Sequence, residues 1–160
     1  MKVIRVVALL LILAVCLSGL CCCTDKNEYT AQEISSQLYE LCLKNSETYE
    51  VSKADIENRF NFDGNLLDEY SVRLSDTDEK YLCVAVFSLK DKADRQTVID
   101  GISSTLKVTA ASFGVLDDSE YNKIQHRLLY EYGDIIIFVV ADSYKPCEEY
   151  LKEIGASPIA

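Results

Sequence analysis

His126 is the only histidine in the chain, and it sets the limits on catalysis. A single imidazole cannot build a multi-histidine metal centre. In a concave pocket beside a carboxylate it can still move protons. It follows Ile124 and Gln125 on a helical stretch, on the polar side, so an exposed structural histidine is expected. Asp76, Asp78 and Glu79 put oxygen atoms at neighbouring positions of a turn, a pattern that can touch calcium. The stretch lacks the glycine and the distal bidentate glutamate of an EF-hand loop, and a solvated turn is expected instead. Asn61-Phe62-Asp63-Gly64-Asn65 is incomplete in the same way and reads as a turn. Asp117 and Asp118 stand where a helix would be capped. No serine sits in a G-x-S-x-G elbow, and no glycine loop is built to cradle phosphate. We therefore expect no catalytic, cofactor-binding or metal-ligating residue, and no enzymatic activity.

The cysteines carry the other chemistry. Cys83 lies inside Tyr81-Leu82-Cys83-Val84-Ala85-Val86-Phe87 and reads as a small core residue. Cys42 and Cys147 can pair if the fold brings them together, and no CxxC or metal spacing is present. The remaining cysteines belong to the first 23 residues. There Lys2 and Arg5 precede an apolar run from Val6 to Leu17, then Ser18-Gly19-Leu20 and Cys21-Cys22-Cys23. A positive start, an apolar middle and small residues make an export signal. The segment resembles a bacterial lipoprotein signal, in which a cysteine is lipidated and the peptide is cut just before it. Such signals carry an aliphatic residue three before the cysteine and a small one directly before it. Cys23, with Leu20 and Cys22 in those places, fits best, and Cys21 and Cys22 are the alternatives. The rival is an uncleaved anchor, because Val6 to Cys23 approaches the ~17–25 residues that span a bilayer. A secreted, unanchored form would need an A-x-A site that the stretch lacks. All three place the remainder outside the cytoplasm, with the positive flank inside. The expected division is a signal over residues 1–22, a tether over 23–29 and one domain over 30–160.

The chain has 160 residues and a formal charge of −10. Roughly 120 residues beyond the tether suffice for one domain with its own core. The acidic balance excludes nucleic acid as a partner, since that requires clustered Lys and Arg. It also excludes electrostatic attachment to anionic headgroups.

Any site must be positioned by elements that the pattern predicts. Thr30-Ala31-Gln32-Glu33 is a capping box that opens a helix to Lys44. Ser52 to Phe60 predicts a short helix with Ile56 and Phe60 inward. Leu67 to Leu74 and Tyr81 to Leu89 predict a hairpin. Asp91 to Phe113 predicts a long helix with Val98, Ile102, Thr105, Leu106, Thr109 and Phe113 on one face. Gly114 is expected to stop it in a left-handed conformation. Asp117-Asp118-Ser119-Glu120 is a second capping box, starting a helix with Tyr121 and Ile124. Leu128 to Tyr132 and Ile135 to Ala141 predict a second hairpin, turning on Gly133-Asp134. Ser143 is expected to cap a last helix with Pro146 in its first turn, lined by Tyr144, Cys147, Leu151 and Ile154 and ended by Gly155. This order predicts an α+β fold: an antiparallel sheet of about four strands, as two hairpins, with helices on one face. The ten tyrosines include Tyr70, Tyr81, Tyr130 and Tyr132 in or beside strands. Exposed on one face they would form a platform for a ligand; buried, they are ordinary strand aromatics.

Asp68-Glu69-Tyr70-Ser71-Val72-Arg73, the Tyr81–Phe87 strand, the long helix from Asp91 and the run Tyr130 to Ala141 follow one another in a familiar pattern. From about Val51 to Gly155 the chain resembles a family of uncharacterised bacterial lipoprotein domains, known mainly from Gram-positive species. The resemblance implies a lipoprotein signal, a short tether and one small domain. It carries over no catalytic residues. The expected function is a membrane-anchored, extracytoplasmic binding or interaction module of the cell envelope, without cofactor. It would contact an envelope protein, a cell-wall component or a small ligand through a helix-free sheet face or a loop. The alternative is a structural accessory subunit of an exported enzyme or transporter system.

Overall fold

The computed structural model describes residues 28–77, 79–115 and 117–159. The signal, most of the tether and the three adjacent cysteines lie outside these residues. The elements in chain order are α1 (Ala31–Cys42), β1 (Tyr49–Glu50), α2 (Ile56–Phe60), β2 (Leu67–Asp76), β3 (Tyr81–Leu89), α3 (Arg95–Phe113), α4 (Asp118–Gln125), β4 (Leu128–Tyr132), β5 (Ile135–Val140), α5 (Lys145–Glu153) and β6 (Ser157–Pro158). The fold is α+β with an antiparallel sheet, as the pattern predicts. The sheet has six strands rather than about four, in the order β1-β2-β3-β5-β4-β6. The extra strands, β1 and β6, are two-residue edge pieces that pair with β2 and β4.

The two hairpins sit side by side, joined where β3 runs antiparallel to β5 from Cys83↔Val140 to Ser88↔Ile135. The turn between β4 and β5 is Gly133-Asp134, flanked by the Tyr132↔Ile135 pair. Gly133 takes a φ of 63°, a backbone angle that costs glycine little.

Helices cover both faces of the sheet, not one. Successive strand residues point to opposite sides, and here both sides are buried. Cys83, Ala85 and Phe87 join Ile136, Phe138 and Val140 beneath α2, α3 and α4. Leu82, Val84 and Val86 join Ile135, Ile137 and Val139 beneath α1 and α5. The two central strands are apolar on nearly every residue because each faces a helical layer. On the first face Phe87 meets Phe60 and Phe62 edge-on, with ring centres 5.3 Å away in each case. Truncating a buried phenylalanine of this kind typically costs about 3–5 kcal/mol.

The helix ends are set by identifiable side chains. Thr30 and Glu33 form the expected capping box. A second carboxylate, Glu69 of β2, accepts the backbone N–H groups of Ala31 and Gln32 at 3.3 and 3.2 Å. The first donors of α1 are thus satisfied, and the helix is tied to the sheet. Three expected end signals differ. Gly114 closes α3 in a right-handed conformation, with φ −61°. Ser143 does not cap α5; the cap position is Tyr144, and no side chain bonds the helix end. At α4 only half of the capping box forms. Asp117 accepts from Ser119 and Glu120, while the Glu120 carboxylate is bonded to Tyr81 N and Lys123 Nζ. On the long helix the buried stripe includes Ile99, Gly101 and Ala110, and Thr105 and Thr109 are only half-buried.

Candidate functional site

The Gly101 position brings α3 against the end of α2. A Cβ there would stand 2.6 Å from the Phe60 carbonyl oxygen and 2.9 Å from that of Asn61. Asn61 itself turns the chain out of α2 in a left-handed conformation, with φ 57°. An open groove of about 390 Å³ lies between the two helices and the first hairpin. Asn58, Arg59, Asn61, Ser104, Thr105 and Thr109 supply its polar groups, above Leu74 and Tyr81. Its described lining includes one guanidinium, that of Arg59. Arg59 lies over the Tyr49 ring at 5.8 Å. Hydroxyl, amide and guanidinium groups in an open groove suit a small polar ligand.

A second open groove, of about 360 Å³, lies beside β4 and β6. It gathers Ser103, His126, Arg127 and Glu148 in its lining, the residue types of a hydrolytic triad. The contacts of a triad are absent among the described residues. His126 ends α4, is exposed, and pairs its Nδ1 with the Asn122 carbonyl oxygen at 2.7 Å. That bond completes the helix end and leaves the imidazole unlinked to Glu148 or Ser103. A general base must be oriented toward its nucleophile, and this ring is oriented by its own helix.

The other candidates resolve into structure. Asp63 accepts the Asn65 backbone N–H at 2.8 Å and caps a single 3-10 turn. Asp117 caps α4, and Asp118 is exposed. Asp76 ends β2, Glu79 is exposed in the turn that follows, and Asp78 lies outside the described residues. Among the described residues no group of three His, Cys, Asp or Glu side chains could hold a metal ion. Tyr81 and Tyr130 are buried, and Tyr70 and Tyr132 are half-buried, so these four make no exposed platform. Neither sheet face is free of helices, so the expected helix-free binding face does not exist.

Two arrangements carry no clear signal in the sequence. The first is an ion cluster at one end of the sheet. Lys123 is 9 % exposed and contacts Glu120 at 2.7 Å and Asp142 at 3.1 Å. Lys80 reaches the other oxygen of Asp142 at 2.6 Å. Partial burial works against the Asp142 charge, but hydrogen bonds from Lys80 and Lys123 outweigh it and hold the carboxyl below its ordinary range. The Glu120–Lys123 spacing of three residues on one helix is the only local hint. The second arrangement is the meeting of Cys42, the last residue of α1, with Cys147 in the first turn of α5. The two side chains are close enough to shift each other's acidity, and both sulfurs are free thiols.

A family profile described as "Domain of unknown function (DUF4358)" matches residues 42–141. The matched stretch runs from the end of α1 through β5 and takes in both hairpins and the groove between α2 and α3. No curated protein and no solved structure matches the chain.

Proposed function

The chain belongs to this family of unknown function, and from its own residues we propose a membrane-anchored, extracytoplasmic module of the cell envelope that binds a ligand or partner without enzymatic activity. One observation carries the reading: Lys2 and Arg5, the apolar run Val6 to Leu17 and the cysteines Cys21-Cys22-Cys23 stand directly before a short polar tether and a folded domain. That order is the layout of an exported lipoprotein, lipidated at Cys23, with Cys21 and Cys22 as alternatives. An uncleaved anchor over the same residues gives the same location. A seven-residue tether reaches at most ~25 Å, so α1 starts close to the membrane surface. The groove bearing Arg59, Asn58 and Asn61 is the place for a small polar ligand, since it gathers guanidinium, amide and hydroxyl groups in one concave surface.

The alternative is a structural accessory subunit of an exported enzyme or transporter system. It is favoured by the tyrosines that rim the α1–α5 face. Tyr29, Tyr39, Tyr132, Tyr144 and Tyr150 pack, partly buried, around that core, and tyrosine is enriched where proteins dock.

The test is the intact mass and membrane partitioning of the protein from its native host, beside a variant with Cys21, Cys22 and Cys23 changed to serine. A mature mass starting at one of these cysteines plus a diacylglyceryl group, with release of the variant from the membrane, supports the lipoprotein. A full-length unmodified mass that stays in the membrane leaves the anchor form. Recovery of both proteins in the cytoplasm overturns the reading.

A further inference from the structure

We propose that Cys42 and Cys147 are a redox pair that closes into a disulfide, locking the first helix of the domain to the last. Cys42 ends α1 and Cys147 lies in the first turn of α5. The two helices pack together over the same sheet face, where Cys147 belongs to the core cluster and Cys42 packs against it. No other pairing is available among the described cysteines. Cys83 points to the opposite face of the sheet, into the core beneath α3.

The two thiols differ in access and in acidity, and the difference sets the order of events. Cys147 is fully buried, whereas Cys42 is half-buried at the rim. The hydrogen bond from Cys42 holds the Cys147 thiol below its ordinary range, against the effect of burial. The start of α5 acts in the same direction, since a helix N-terminus favours the thiolate. The same hydrogen bond, and then burial, push the Cys42 thiol up. The Cys42 sulfur also lies 2.9 Å from the Leu38 carbonyl oxygen.

The oxidant is an external disulfide, such as an oxidoreductase or glutathione disulfide supplies. It reaches Cys42 first, because Cys147 is covered. The Cys42 sulfur loses its proton to solvent and attacks the external disulfide. A mixed disulfide forms and one external thiolate departs. The Cys147 thiolate then attacks the Cys42 sulfur, forms the internal bond and expels the second external thiolate. The pair has lost two protons and two electrons, and the external disulfide has been reduced to two thiols. Persistence of the bond in the cell rests on the extracytoplasmic location proposed above, since reducing compartments keep such pairs open. The chemistry itself does not.

The closed bond would constrain a loop that includes both hairpins and α3, and a loop of that size yields a large gain in stability. The test uses the purified full chain in detergent, oxidised with glutathione disulfide and then unfolded, alkylated and peptide-mapped. The expected product is a Cys42–Cys147 cross-link with loss of two hydrogen atoms, and a melting temperature raised by roughly 10 °C. Cys147→Ser should accumulate a glutathione adduct on Cys42, and Cys42→Ser should accumulate none on Cys147. The proposal is overturned if Cys42 and Cys147 both remain alkylatable in the oxidised wild-type protein, or if Cys42 pairs with a cysteine of the leader. That readout needs no variant to fold. It also stands apart from the membrane test, because an anchored protein with two inert thiols and a cytoplasmic protein with a competent pair are separate outcomes.

Discussion

Gly101 of α3 packs against the backbone of Phe60, so that a Cβ on the glycine would come to 2.6 Å from the Phe60 carbonyl oxygen. Two effects oppose each other in a Gly101→Ala substitution. Alanine is worth about 1 kcal/mol more than glycine inside a helix. Overpacking costs about 1–3 kcal/mol, and here the obstacle is backbone on both Phe60 and Asn61, which cannot swing aside as a side chain can. Overpacking wins, and the variant should lose about 2 kcal/mol. Ser104→Ala, on the exposed side of the same helix, should be neutral within about 0.5 kcal/mol. Urea midpoints at unchanged slope measure both. A Gly101→Ala protein as stable as wild type would mean that α2 and α3 separate at little cost.

Glu69 ties the start of α1 to β2, and its removal should be felt first in that helix. Glu69→Ala leaves the N–H groups of Ala31 and Gln32 without a protein partner and should cost about 1 kcal/mol. Thr30→Ala removes the bond to Glu33 N and should cost a similar amount. Amide hydrogen exchange is the sharper readout. Exchange should quicken along α1 while the amides of β3 and β5 keep their protection. Equal loosening of the central strands would show that α1 is not an independent unit.

The fold was legible where a local rule decides the outcome. Gly133-Asp134 between two apolar runs and Thr30 three residues before Glu33 each specify their turn or cap by chemistry within a few residues. The runs Tyr81–Leu89 and Ile135–Val140 also held the information about the second helical layer. A strand that faces water on one side alternates, and these do not, so their continuity is the mark of burial on both faces. Strands β1 and β6 were beyond reach, because two residues have no period. The junction of Cys42 and Cys147 was equally hidden. It depends on how the first and last helices dock on the sheet, which no local signal encodes. The groove at Arg59 lies between helices that meet at Gly101, and a glycine inside a helical pattern was the trace of that meeting.

The ion cluster should separate buried from exposed pairs in one experiment. Lys123 is 9 % exposed and holds both Glu120 and Asp142. Lys123→Ala strips the partner from the poorly exposed Glu120, which retains only its bond from Tyr81 N. Breaking one side of a buried pair is costly, and the partial exposure of Asp142 reduces the effect to about 2 kcal/mol. Lys145 and Glu149 lie 3.9 Å apart with side chains 84 % and 68 % exposed. Lys145→Ala should change stability by less than about 0.5 kcal/mol. Equal losses in the two variants would contradict the role assigned to burial.

The Asp142 carboxyl makes the stability of the protein depend on pH in a stated direction. Burial alone would raise its pKa, but the hydrogen bonds from Lys80 and Lys123 lower it overall. Glu33 is lowered as well, by its bonds from the Thr30 backbone and side chain. A carboxyl depressed in the folded state binds its proton more weakly there than in the unfolded chain. Its contribution is therefore complete above the unfolded value, near pH 4 (roughly), and is lost as the pH falls through the lower folded value. Asp142→Asn removes one of these groups. Its urea midpoint should fall less steeply than that of wild type between roughly pH 5 and pH 2. The difference should shrink in high salt, because Asp142 is half exposed and its charge is screened. Parallel curves for the two proteins would show that the Lys80 and Lys123 contacts do not survive in solution.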